Sequence, residues 1–155
     1  MADVWLFAHI LSAFWYVGGL TAVQLSCVRA WQNDELRTRV DALEEASHYQ
    51  GVLLVPGAIA SVATGLFLWA QLGYDMLTTP WLLALEALYI VTLLVCVPLG
   101  GIGLRRARLA ALQARKAGRT TPELEQAMRD SVPLVFGGIA ALLVPVMAAL
   151  SVIRP

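Results

Sequence analysis

The sequence predicts an all-α integral membrane protein, a four-helix bundle with both termini on the outer side of the membrane. Three observations carry this reading. The 155 residues are 59% hydrophobic and only 14% charged, with a mean hydropathy of +0.69, which is too apolar for a water-soluble domain of this size. Four apolar runs, at about 4–27, 51–72, 79–103 and 132–153, are each long enough to cross roughly 30 Å of hydrocarbon as a helix. Ten of the 11 Lys and Arg residues fall in the two long connections, 28–50 and 104–131, which the positive-inside rule assigns to the cytoplasm. Formal net charge is +0, so the chain has neither the basic excess that would suggest nucleic acid nor an acidic, solvating tail.

The first run follows acidic Asp3 rather than a basic segment. It also exceeds the ~7–15 residues of a signal-peptide core, so it reads as a retained span. In the connection 28–50, Leu36, Val40 and Leu43 recur at helical spacing. Asn33 is placed as its N-cap, with Asp34 and Glu35 in the first turn, and this helix runs straight into span two. The Gly73–Thr78 turn carries no basic residue and lies outside. Span three continues through Arg105–Lys116 to Gly118, and Thr121-Pro122-Glu123 then supplies an N-cap, an N1 proline and a first-turn acid that restart a helix leading into span four. Trp5, Trp69, Tyr74 and Trp81 mark the outer ends of the spans, and Trp31 and Tyr49 the inner ends. The cluster Arg105, Arg106, Arg108, Arg115, Lys116 and Arg119 fixes this topology and offers charge to anionic lipid headgroups on the cytoplasmic face.

The faces of the spans carry packing signals. Gly57, Ser61 and Gly65 form a small-residue ridge on span two, with Gly137, Gly138 and Ala141 as a similar surface on span four. Leu54-Val55-Pro56-Gly57-Ala58-Ile59-Ala60 is echoed by Leu134-Val135-Phe136-Gly137-Gly138-Ile139-Ala140, the pattern of a duplicated helical hairpin. Pro56, Pro98, Pro133 and Pro145 mark kinks or tight starts.

Ionisable groups inside a span are functional candidates, because even translocon scales charge about +2.5 to +3.5 kcal/mol for a central Asp. His9 and Glu86 are the two such groups, each ~10 Å below the outer start of its span. His9 shares a helical face with Ser12, Ala13, Tyr16 and Val23, and Glu86 with Leu82, Tyr89 and Leu93. Equal depth predicts a His9–Glu86 contact across the bundle, able to bind a proton, a haem iron or a polar substrate, with Tyr16 and Tyr89 beside it. His48 falls at the inner end of span two, ~20 Å from His9, so both cannot ligate one iron; it reads as an interfacial, solvated histidine. Cys27 and Cys96 have no metal-type spacing and imply no disulfide framework. No phosphate loop, nucleophile elbow or two-His metal motif is present.

The segments Ala8-His9-Ile10-Leu11-Ser12-Ala13-Phe14-Trp15-Tyr16-Val17-Gly18-Gly19, Pro56-Gly57 through Thr64-Gly65-Leu66, and Trp81-Leu82-Leu83-Ala84-Leu85-Glu86 resemble a bacterial family of four-span integral membrane proteins known only as a domain of unknown function, number twenty-two sixty-nine. That resemblance implies the bacterial inner membrane. More distantly, the order His, Trp-x-x-Gly, Thr-Gly-Leu, a Trp before a polar position in span three and a final Val-Pro is similar to HemJ-type protoporphyrinogen oxidase and to the CopD copper-resistance membrane domain. The HemJ pattern links the first-span histidine to haem and a third-span lysine to activity. Here His9 matches the histidine, Glu86 stands about one position from the lysine, and no span contains a lysine.

Three readings stand. The chain is a haem- or porphyrin-associated redox protein with haem b on His9 as metal ligand and Glu86, Tyr16 and Tyr89 around it. Alternatively it is a non-catalytic accessory or assembly subunit of a larger membrane complex. As a third reading it is a proton-coupled small transporter that works as a homo-oligomer.

Overall fold

The computed structural model of the chain describes residues 2–73 and 79–153. Tyr74 and most of the Gly73–Thr78 turn, together with Arg154, lie outside the described residues. Every regular element among those described is helical. In chain order they are α1 (Ala2–Gln32), α2 (Leu36–Tyr49), a π-turn (Gln50–Leu54), α3 (Val55–Leu72), α4 (Pro80–Val91), a second π-turn (Thr92–Cys96), α5 (Val97–Ala117), α6 (Pro122–Arg129) and α7 (Val132–Ile153). Helix is unbroken from α2 through α3 and from α4 through α5, giving rods of 37 and 38 residues. At 1.5 Å per residue each measures roughly 55 Å, well beyond the ~30 Å hydrocarbon layer, so each carries its arginine-rich end out of the apolar slab. Four helical segments are long and apolar enough to cross a membrane, and the fold is the four-span bundle expected.

Local chemistry explains where the rods stop and bend. Gly73 and Gly118 adopt left-handed backbone at φ 68° and 65° and close α3 and α5. Thr121 caps α6, its Oγ1 accepting from the Leu124 N–H at 3.4 Å. Each π-turn is followed by a Val-Pro pair, Val55-Pro56 and Val97-Pro98. Proline has no N–H to offer the carbonyl four residues back, and widening the preceding turn to i→i+5 bonding moves the ladder past that gap. Thus the Val55 N–H bonds the Gln50 carbonyl and the Val97 N–H bonds the Thr92 carbonyl.

One helix boundary differs from the expectation. Asn33 does not cap α2; its side-chain amide donates to the Arg29 carbonyl at 2.7 Å and finishes α1 instead. Glu35 is the residue before α2, and Asp34 lies outside the helix, paired with Arg39 at 2.7 Å. The helix that leads into span four, α6, is set off from α7 by a break at Asp130–Ser131, where Asp130 Oδ1 accepts the Val132 N–H at 3.0 Å.

Packing divides the molecule along its length. α1 lies against α2, α3 and α7, α5 packs on α2, α6 and α7, and α4 lies along α7. Side chains sealed from solvent concentrate at the arginine-rich end: Val40, Leu43 and Ala46 of α2, Leu104, Ala107, Ala111 and Ala114 of α5, and Leu124 of α6. Toward the other end the bundle exposes Phe7, Phe14, Phe67, Leu142 and Ile153. Water drives apolar burial only where water is the solvent, so the dense core belongs to the end outside the hydrocarbon and the open apolar surface to the part inside it.

Candidate functional site at the far end of the bundle

At the end remote from the arginines, α1 and α3 meet along the predicted ridge of small residues. A Cβ on Gly57 would stand 2.6 Å from the Tyr16 backbone nitrogen, and one on Gly65 would stand 3.1 Å from the His9 ring. Ser61, between them, is buried. The ridge therefore exists to bring the α3 backbone onto α1, and glycine at Gly65 leaves the space the imidazole fills. Trp5 and Phe67 stack at 4.5 Å, 15° from parallel, and close this pair above His9.

His9 Nδ1 lies 3.1 Å from Thr64 Oγ1. The Thr64 hydroxyl, with its single proton, has three further oxygens in reach: the Ala60 carbonyl at 2.7 Å, the Ser61 carbonyl at 3.3 Å and Ser12 Oγ at 3.5 Å. With that proton on the Ala60 carbonyl, the shortest of these contacts, the Thr64 oxygen accepts and His9 Nδ1 donates. Ser12 repeats the arrangement, donating to the Ala8 carbonyl at 2.7 Å while its oxygen lies 3.5 Å from Thr64 Oγ1. In that arrangement the imidazole is the Nδ1–H tautomer, and the Ser61 backbone is a further hydrogen-bonding neighbour of the ring. A ligating histidine is oriented in this way, with the remote N–H anchored to an acceptor.

The expected His9–Glu86 contact is not made. Among the described residues, Glu86 is half-buried on α4 and no hydrogen bond or ion pair joins it to His9. The reason is packing: α4 lies along α7, and it reaches α1 and α3 through Tyr89, one turn beyond Glu86. Tyr89 Oη donates to the Ala58 carbonyl at 2.9 Å, and its ring sits 6.3 Å from that of Tyr16. Tyr16 and Tyr89 are thus together, His9 stands two turns along α1 from Tyr16, and Glu86 is on the facing helix. Inside this seam Tyr16 Oη is fully buried and unpartnered among the described residues.

Thr64 was not singled out from the sequence, although a threonine followed by glycine inside an apolar run is a readable sign of a polar contact at a close helix crossing. Gln24 and Gln50 were also missed. Gln24 Nε2 donates to the Leu134 carbonyl at 2.8 Å, its amide lying in the space left by Gly137, and the Gln50 amide fills the space beside Gly101. These glutamines border a cavity of about 30 Å³ that also touches Cys27 and Cys96, room for a single water. His48 is exposed, with its ring edge-on to Tyr49 at 6.0 Å, and both cysteines are buried free thiols. Among the described residues no group of three or more His, Cys, Asp or Glu is placed to hold a metal ion.

In comparisons with known proteins, a family model described as a predicted integral membrane protein, DUF2269, matches residues 3–155. No curated protein and no solved structure matches the chain.

Proposed function

The chain belongs to the DUF2269 family of integral membrane proteins, and because His9 is a histidine inside one of its spans, we propose that it binds a haem-type iron porphyrin through His9 Nε2. The observation that carries the reading is the His9–Thr64 hydrogen bond, which anchors the ring at Nδ1 and so suits Nε2 to ligation. An iron porphyrin in this position would supply one-electron redox chemistry. The chain's own residues do the rest. Thr64 orients the imidazole, and its acceptor oxygen makes Nε2 a better donor. Gly65 leaves room for the ring to lie flat against α3. Tyr16 and Tyr89 lie together in the seam between α1, α3 and α4. The 30 Å³ cavity lies among Leu20, Gln24, Gln50 and Cys96 and does not border His9, so a porphyrin would have to meet the half-buried imidazole from outside the bundle.

The test is a haem titration of the protein in mild detergent, followed by absorbance. Wild type should give a Soret band at one haem per chain, His9→Ala should lose it, and Thr64→Val should weaken binding about tenfold or more, the usual effect of removing an orienting partner. A wild-type chain that acquires no band, or a band of equal intensity in His9→Ala, overturns the proposal.

One observation favours a second reading, a subunit of an oligomer or larger membrane assembly. Only 6% of the most apolar window of span four is buried within the chain, against 28% for span one. A detergent-corrected mass equal to the single 16.8 kDa chain would contradict it.

A further inference from the structure

We propose that the arginine-rich end carries a binding site for the phosphate of an anionic phospholipid headgroup, formed by Arg105 and Arg108 of α5 beside the junction of α2 and the first π-turn. Orientation by the positive-inside rule needs only that bases be present; it does not require them to be unpaired or partly buried. The two sides of this end differ in that respect. Arg29 pairs with Glu45 at 3.3 Å, Arg37 with Asp41 at 3.9 Å and Arg39 with Asp34 at 2.7 Å. Arg115, expected to belong to the basic cluster, is held by both Glu44 oxygens, at 2.9 and 3.4 Å. Arg105 and Arg108 have no ion pair among the described residues.

Their depth and direction are specific. Arg105 is the first base beyond the apolar run of the α4–α5 rod, where hydrocarbon gives way to headgroups. Gly101, Arg108 and Arg115 recur at seven-residue intervals and so share one stripe of α5. Gly101 faces Gln50 and Arg115 pairs with Glu44, which sets Arg108, between them, on the side of α5 that faces the antiparallel rod. Its Nε is completely buried without a hydrogen-bond partner. The side chain as a whole is half-buried, so its terminal N–H groups, rather than the sealed Nε, are what a headgroup phosphate can reach, and a guanidinium offers these in parallel to phosphate oxygens. Arg105, three residues earlier and exposed, lies one turn away on the same side of α5. Arg106, at about 100° per residue, points to the other flank and is not part of the site.

The experiment titrates the detergent-solubilised full chain with short-chain phosphatidylglycerol, phosphatidylcholine of equal chain length, or inorganic phosphate, and measures bound ligand calorimetrically. Phosphatidylglycerol should bind more tightly than phosphatidylcholine, and inorganic phosphate should fail to displace it. Arg105→Gln should weaken phosphatidylglycerol about fivefold, the equivalent of about 1 kcal/mol per basic residue. Arg108→Gln should weaken it at least as much, and Arg29→Gln, which removes an already paired base, should leave it unchanged. Arg105 is exposed, so its variant keeps the test alive if Arg108→Gln unfolds. Unchanged affinity in Arg105→Gln, or an equal loss in Arg29→Gln, overturns the site; displacement by inorganic phosphate at matched concentration overturns the lipid assignment in favour of a free anion.

Discussion

At the scale of single residues, the protein is decided by where a Cβ is missing. Gly18 and Gly19 are neighbours on α1 with opposite circumstances. A Cβ on Gly19 would come 2.5 Å from the Leu54 backbone nitrogen, whereas one on Gly18 meets nothing within 4 Å. Backbone cannot swing aside as a side chain can, so Gly19→Ala should destabilise the α1–α3 pair by about 1–3 kcal/mol. Gly18→Ala should be neutral or stabilising by up to about 1 kcal/mol, since alanine is the better helix former. Unfolding of both variants by denaturant titration in micelles measures the difference. The same reasoning separates what could be read from the sequence at the site. His9, Tyr16, Tyr89 and Glu86 were recognisable as polar groups in apolar runs. The partner of His9 was not, because equal depth in the membrane says nothing about how each helix is rotated about its own axis. That rotation is set by the Gly57–Ser61–Gly65 ridge, and it turns the imidazole toward Thr64 rather than across to α4.

At the scale of elements, strong local signals marked their ends. Gly73 and Gly118 stop helices through positive φ, and Thr121 starts α6 with a side-chain cap, each a property of one residue and its near neighbours. Gly118→Ala should cost about 1–2 kcal/mol, the penalty for a left-handed non-glycine residue, and should show as faster amide exchange in the last turn of α5 and in α6. The π-turns were hidden because their cause is distributed: Pro56 and Pro98 announce a perturbed ladder, yet a kink and a widened turn are both ways to accommodate a proline. Asn33 was equally ambiguous, since its amide could serve the helix before it or the one after it. The Arg29 carbonyl of the preceding helix took it.

At the scale of the whole molecule, one chain satisfies two solvents. The arginine-rich end is packed like a soluble helical protein, with Leu43 and Leu124 fully enclosed, while Leu142 on α7 is 71% exposed. Leu124→Ala should therefore cost about 2–5 kcal/mol, whereas Leu142→Ala, facing hydrocarbon in either case, should change stability by less than about 1 kcal/mol. Unfolding in lipid nanodiscs compares them. The sequence charges and hydropathy made the four spans legible. They could not show that arginines such as Arg115 are internally neutralised while Arg108 is left with a sealed N–H, because that depends on pairings between α2 and α5 some seventy residues apart.

The central claim is that Thr64 holds the His9 imidazole with its proton on Nδ1 and its Nε2 lone pair free. The chain contains only two histidines, so nitrogen-15 NMR of a histidine-labelled sample in micelles resolves both rings, with His48→Gln identifying His9. At a pH where imidazole is neutral, the account predicts a protonated Nδ1 and a bare Nε2 for His9, a loss of that tautomer preference in Thr64→Val, and a shift of the Nε2 signal when haem is added. A His9 ring that carries its proton on Nε2, indifferent to Thr64→Val and to haem, would contradict it.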